Sequence, residues 1–356
     1  MSERSLSVDQ WQVLSKGRLA TVVIVSIVFA VLVVAGVAYP DTLAGKLLGI
    51  ITSESALSTT LTLSVPIAFA ALGGIFAEKV GVINIGLEGH LIISAFVAIY
   101  ATDVTGGNIW VGFIAGVLAS TLLAGVFAVV CIKFRADQII AGLAVWLVAL
   151  GLAPFLSSVI YGSVNTPSVE SFNTITIPVL SKIPYFGVLF NATPPVYLLF
   201  IAVGFSWYVL NRTAFGRWIR ASGENPKALD TVGVNVHRVR YVSVLISGAL
   251  AGMGGASFAI SLAQFVGNGQ TMIGGRGFIA IVAYLLGNYN PIGAFLSTTL
   301  FAGLQAIQVQ LQTMGYGVPN RLVQMIPYIT VIVVLALVGR TRIPDSAGDH
   351  YESGED

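Results

Sequence analysis

The sequence predicts an all-α, polytopic membrane fold of about ten transmembrane helices, arranged as two related halves with short or broken helices among them. Three observations carry that prediction. Of 356 residues, 56% are hydrophobic and 10% charged, with a mean hydropathy of +0.87, an apolar excess that no water-soluble core requires. Apolar runs of span-like length recur from residue 19 to residue 339. Basic residues gather between those runs, and a single alternation places Lys133, Arg135, the cluster in 211–240, Arg340 and Arg342 on one side.

With roughly 20 apolar residues needed per span, the runs fall at about 19–39, 57–77, 82–101, 108–132, 138–161, 195–211, 241–264, 277–287, 291–312 and 322–339. The first follows Lys16 and Arg18 and lacks the short apolar region of a cleaved signal, so it reads as a retained helix. An inside N-terminus then puts Lys133, Arg135, the polar island 211–240, Arg340 and Arg342 in the cytoplasm, with both termini there in a multi-pass plasma-membrane protein. The other side receives Asp41 to Ser55, the Thr102 to Asn108 turn and the connection from Tyr161 to Pro194. Ile175, Val179, Ile183, Tyr185 and Phe186 give that connection the means to fold back onto the surface. Residues 1–345 are expected to form one transmembrane domain, and 346–356, polar and acidic, a disordered tail.

A net charge of +2 argues against nucleic acid as a partner. Cys131 stands alone, and His90, His237 and His350 lie far apart, so neither a disulfide nor a metal-ligand spacing is present, and no cofactor is implied. Serines occur without a nucleophile elbow, and Glu78, Glu88 and Asp137 are not joined to a histidine and a nucleophile, so no enzyme constellation emerges. There is also no Gly-x-x-x-x-Gly-Lys-Ser/Thr loop to cradle ATP.

The island Asn211–Arg240 is patterned like structured protein. It holds Arg212, Arg217, Arg220, Lys227, Arg238 and Arg240. Thr213 is placed to cap a short amphipathic turn that ends at Ser222 and Gly223. Asn225 then serves as N-cap, Pro226 as first helical residue and Gly233 as left-handed stop. The product is a two-turn helix, Pro226 to Val232, whose Ala228, Leu229 and Val232 meet either a docking partner or lipid headgroups.

Two stretches interrupt the helix pattern in a related way. Gly73 to His90 carries Glu78, Lys79, Asn84 and Glu88, and Gly274 to Gly293 is too short to cross unaided. Paired glycine-interrupted segments fit a repeated transporter fold, although glycine also serves plain helix packing. Asn84 and Glu88 are four apart, which places them on one helix face. Glu88 is either a pathway group or a carboxylate that stabilises a helix N-terminus. Gln305, Gln308 and Gln312 form an amide stripe on one face of a span, suited to a passage for neutral solutes or to bonding between helices. Ser261 and Tyr284 add a hydroxyl and an aromatic to that passage, and Arg276 reads as a gate or a snorkelling anchor.

The motifs AALGGIFAEKVGVINIGLEG (Ala70 to Gly89), RADQIIAGLAV (Arg135 to Val145), FGRWIRASGENPKALDTVGVNV (Phe215 to Val236), SGALAGMGGA (Ser247 to Ala256) and GFIAIVAYLLGNYNPIGA (Gly277 to Ala294) occur in this order. Together they resemble the permease subunits of ABC importers that serve branched-chain amino acids, ribose-type sugars and nucleosides, and most closely the nucleoside and sugar branch. Trp146 departs from that pattern, which calls for asparagine. The resemblance implies two cytoplasmic ABC ATPase subunits gripping a helix on each of two permeases, the second being this chain or a paralogue. An extracellular or periplasmic binding protein would deliver solute. Carried over by position, the gripped helix spans Gly223 to Gly233, with Glu224, Asn225, Pro226, Ala228 and Leu229 within it. A nucleoside is the expected cargo, and ribose or glucose the runner-up. An ion-coupled secondary transporter using Glu88, or a channel-like protein, remain the alternatives from the residues alone.

Overall fold

Side-chain caps fix where most helices begin. In the computed structural model, which describes residues 33–39, 42–313 and 342–352, Thr42 caps α1 (Leu43–Ile51) and Ser53 caps α2 (Glu54–Lys79), each hydroxyl accepting a backbone N–H two residues into its helix. After a non-helical stretch comes α3 (Leu87–Val104). Asn108 caps α4 (Ile109–Ala128), which ends in a π turn (Val129–Lys133). Asp137 caps α5 (Gln138–Tyr161), and Gly162 closes it in the left-handed conformation at φ 71°. The long connection that follows holds two strands of two residues each, β1 (Ile175–Thr176) and β2 (Asn191–Ala192), paired antiparallel with Ile175 opposite Ala192. Then come α6 (Pro194–Arg212), α7 (Ala214–Glu224), α8 (Pro226–Thr231), α9 (Val236–Ser261), α10 (Arg276–Leu286) and α11 (Pro291–Thr313).

Among the described residues, seven helices are long and apolar enough to cross a membrane: α2, α3, α4 with its π turn, α5, α6, α9 and α11. They match the expected runs from 57–77 to 291–312, and α10 is the short apolar helix expected near 277–287. The 322–339 run, and 19–39 up to residue 32, lie outside the described residues. The long connection folds back as expected, but through polar groups. Tyr185 donates to the Ile51 carbonyl at 3.3 Å and Tyr197 to that of Ile175 at 2.8 Å, while Ile175, Val179, Ile183 and Phe186 stay exposed.

The core lies where α2 and α9 cross. Beyond the polar first turns of α9, both helices are apolar on all sides and surrounded by the others, as an interior membrane helix must be. Small residues bring the backbones together: a side chain at Gly73 would strike the Ser247 carbonyl at 2.6 Å, and Ser94 and Ser120 donate across helix gaps to the carbonyls of Gly252 and Gly248. Leu122 on α4, Phe155 on α5, Phe205 on α6 and Leu296 on α11 remain exposed and form the lipid-facing rind.

Candidate functional site

The two interrupted segments meet. The first runs from the end of α2 through non-helical residues 80–86 into α3, turning where Gly81 adopts φ 96°. The second is a non-helical stretch, residues 262–275, that leads into α10; it is pinned to the long connection by Thr166 N donating to the Phe265 carbonyl at 3.0 Å and Gln264 Nε2 donating to the Thr166 carbonyl at 2.6 Å.

Glu88 joins the two segments. Its carboxylate is 1% exposed; Oε1 accepts from Gly275 N at 2.7 Å and Oε2 from Gly277 N at 2.6 Å. The N-cap of α10 is Gly275, which has no side chain to offer, so a carboxylate from α3 supplies the missing acceptors. Glu88 also stands in the first turn of its own helix, so two helix N-termini converge on one negative charge. Of its two sequence readings, the geometry realises stabilisation of a helix N-terminus, with a helix distant in the chain as beneficiary.

A second clasp lies one α10 length away. Glu78 is buried, and it accepts hydrogen bonds from Tyr289 Oη at 2.8 Å and from Tyr284 Oη. Tyr284, expected along a passage, is instead fully buried against Gly74 with its hydroxyl committed to that carboxylate. Asn84 is also corrected: it lies in the non-helical stretch, not on a helix face shared with Glu88. It is fully buried, its Oδ1 accepting from Gly86 N at 3.1 Å and its Nδ2 donating to Ser247 Oγ at 3.3 Å. Gln138 Oε1 takes the N–H of Ile83 at 2.7 Å. These amides satisfy a backbone that has left the helix inside the protein.

Arg276 opens α10 and does not snorkel outward. Its Nη1 donates to the carbonyls of Met272 and Ile273 at 3.2 and 2.7 Å, and its Cζ lies 4.4 Å from the Phe258 ring centroid. A cavity of about 380 Å³ opens beside this junction, lined by Glu88, Trp146, Gln270, Gly275, Phe278, Ile279 and Val282. Trp146 and Phe278 meet edge to face there, with centroids 5.2 Å apart and planes at 88°. The amide stripe does not line it. Gln305 and Gln308 are half-buried on α11 and Gln312 is exposed near its end, while their neighbour Gln310 bonds Ser55 Oγ at 2.9 Å.

The island folds locally as its caps predict. Thr213 Oγ1 accepts from Gly216 N at 3.1 Å, Asn225 Oδ1 from Ala228 N at 3.0 Å, Pro226 opens α8, and Gly233 follows at φ 81°. The helix stops at Thr231 with Val232 as its cap. Leu229 departs from expectation. It is 3% exposed and packs against Val236 and Tyr351, so the face α8 presents is Lys227, Ala228, Thr231 and Val232. At its other end the island bonds the first segment directly: Ser222 Oγ donates to the Val80 carbonyl at 2.9 Å, and Gly223 sits so close to the Lys79 carbonyl that no side chain would fit. Glu224 faces Arg342 across 3.6 Å.

The described part of the expected disordered tail is packed. Ser346 N donates to the Gly223 carbonyl at 2.8 Å, Gly348 N to that of Gly81 at 3.1 Å, and Arg240 Nη1 to that of Asp349 at 2.8 Å. Glu352 pairs with Arg135. Tyr351 buries its ring, so residues 342–352 strap the island to the first segment; 353–356 lie outside the described residues.

Residues 56–335 match the family described as branched-chain amino acid transport system / permease component. The chain is 36% identical over 308 residues to the guanosine ABC transporter permease protein NupQ of Bacillus subtilis, covering 83% of this chain and 96% of that one. It is 36% identical over 311 residues to the nucleoside ABC transporter permease protein NupC of Lactococcus lactis, covering 84% and 97%. A putative glucose ABC transporter permease protein of Haloferax volcanii, TsgC13, is 33% identical over 303 residues, covering 79% and 90%. No solved structure matches. With a family match over residues 56–335 and seven membrane-length apolar helices among its described residues, this multi-pass membrane chain belongs to the branched-chain amino acid transport system permease family.

Proposed function

We propose that the protein is the permease of an ABC importer for nucleosides, guanosine foremost, with glucose or a related sugar as the second candidate. The observation that carries the reading is similarity across nearly the whole length of two permeases named for guanosine and nucleosides. ATP hydrolysis resides on partner ABC ATPases, and a binding protein delivers solute on the opposite side. A second copy or a paralogue completes the passage, and both termini lie in the cytoplasm with the island.

The ATPase docks on α8 through Lys227, Ala228, Thr231 and Val232, its neighbours Gly223, Glu224, Asn225, Pro226 and Gly233 setting the helix's start, stop and orientation. Displacement of α8 is transmitted through Ser222 and Gly223 to the end of α2 at Lys79–Val80. From there the Glu78 and Glu88 clasps pass it to α10 and the wall of the cavity. A packed chain of this kind carries coupling when it has two discrete arrangements. Ion-coupled transport through Glu88 is the weaker reading, because both carboxylate oxygens are already engaged by backbone N–H groups.

Uptake of labelled guanosine, uridine, ribose and glucose, compared between host cells and a deletion of this subunit, tests the proposal. Guanosine and uridine uptake should fall to background. Loss of ribose or glucose uptake with nucleoside uptake untouched would overturn it.

A further inference from the structure

We infer that the cavity beside the two interrupted segments is a nucleobase subsite within the permease, and that Trp146 is the residue that selects flat aromatic solutes there. This rests on the import reading above and deepens it.

The size is right for a small solute. About 380 Å³ falls within the range of roughly 300–1,000 Å³ typical of small-molecule sites. The lining is chemically one-sided: Trp146, Phe278, Ile279 and Val282 present apolar and aromatic surface, and Gln270 is the amide. Glu88 also borders the space, but its two oxygens already accept the N–H groups of Gly275 and Gly277. Its charge faces the N-termini of α3 and α10, so the cavity offers no uncompensated charge to attract an ionic solute.

These properties separate a heterocycle from a sugar. A hexose carries hydroxyls around its whole rim, and each one desolvated without a partner is costly. A wall with one amide leaves most of them unmet. A nucleobase asks for a covered face and one or two bonded edges, which the aromatic corner of Trp146 and Phe278 and a single glutamine supply.

The position of Trp146 is set by the segment it serves. A side chain at Gly89 would strike the Val145 carbonyl at 2.8 Å and the Trp146 Cα at 3.0 Å, so the absence of one there lets α5 lie directly against the turn that carries Glu88. Phe278, its aromatic partner, stands in the first turn of α10, the turn that Glu88 caps. A base lodged against this ring pair therefore touches the end of the chain of contacts that begins at α8.

The test uses the intact transporter with its ATPase and binding protein. Trp146→Ala should lower guanosine uptake at least tenfold with unchanged permease level and ATPase co-purification, whereas Trp146→Phe, which keeps an aromatic face, should stay within about threefold. Unchanged uptake in Trp146→Ala, or equal losses in both variants, would overturn the subsite. Should Trp146→Ala fail to reach the membrane, photolabelling of the unaltered complex with 8-azidoguanosine decides: adducts on peptides carrying residue 146 or 278, competed by guanosine and not by glucose, support the inference, and adducts confined elsewhere refute it. Failure of the import reading looks different, since deletion of the subunit would then leave nucleoside uptake intact.

Discussion

The two interrupted segments face the same problem and contribute opposite halves of its solution. The first brings acceptors, the carboxylates of Glu78 and Glu88. The second brings donors: the N–H groups of Gly275 and Gly277 and the hydroxyls of Tyr284 and Tyr289. A buried carboxylate without donors, or a helix N-terminus without acceptors, costs several kcal/mol in an apolar interior, so neither segment is tolerable without the other. The breaks thus form a lock between sequence-distant parts of the chain, the acceptors of one segment matched to the donors of the other.

Removing an acceptor should have the largest effect. Glu88→Ala strips both partners from the start of α10, and at about 1–3 kcal/mol for each buried donor left unmet, the loss is on the order of 2–6 kcal/mol. Uptake should vanish and the purified permease should melt well below the wild type. Glu88→Gln retains one acceptor oxygen and should fall between the two. Equal melting temperatures for Glu88→Ala and wild type would show that the first clasp is not a lock.

Removing a donor should cost less, because the carboxylate keeps its other partner. Tyr289→Phe deletes one hydroxyl from Glu78 and should destabilise by about 1–3 kcal/mol, with reduced but measurable uptake. Combined with Glu78→Gln, its effect should be smaller than the sum of the two single changes. Strict additivity would mean that the pair does not interact in the folded protein.

The coupling element allows a comparison of two neighbouring side chains. Val232→Glu places a charge on a residue that is 72% exposed and should lower ATPase co-purification and uptake while the permease level holds. Leu229→Glu buries that charge among Val236 and Tyr351, and should lower the amount of permease itself by several-fold. Normal membrane levels of Leu229→Glu would contradict the packing of Leu229 against Val236 and Tyr351.

What was legible in the residues was local. Hydropathy placed the helices of membrane length, and the caps Thr213 and Asn225 with the stop at Gly233 marked α7 and α8, because each signal lies within a turn of the structure it makes. The helical core and the two glycine-interrupted stretches were legible for the same reason; that the two stretches meet was not. The direction of Leu229 was not, since α8 is six residues long and shows no periodicity, and its cover, Tyr351, comes from the far end of the chain. Asn84 was misplaced because its neighbours Val80, Val82, Ile83 and Ile85 are as apolar as a helix would be. The backbone there is non-helical, and the partners it needs, among them the remote amide of Gln138 and the hydroxyl of Ser222, come from distant parts of the chain. Glu88 was singled out, but its partners lie 187 and 189 residues away, a pairing that one sequence read alone does not encode in any spacing.

The smallest expected effect belongs to the amide stripe. Gln305 and Gln308 are half-buried on α11, outside the cavity at the junction, and α11 packs chiefly on α2. If the solute meets the permease at Trp146 and Phe278, these amides lie off its path, and replacing both with Leu keeps the bulk of each side chain. Guanosine uptake should then stay within about twofold of wild type, with a modest shift in melting temperature, because the change leaves the lock and the cavity intact. A tenfold loss of uptake without loss of permease would move the solute path to α11 and make the two interrupted segments a scaffold for it.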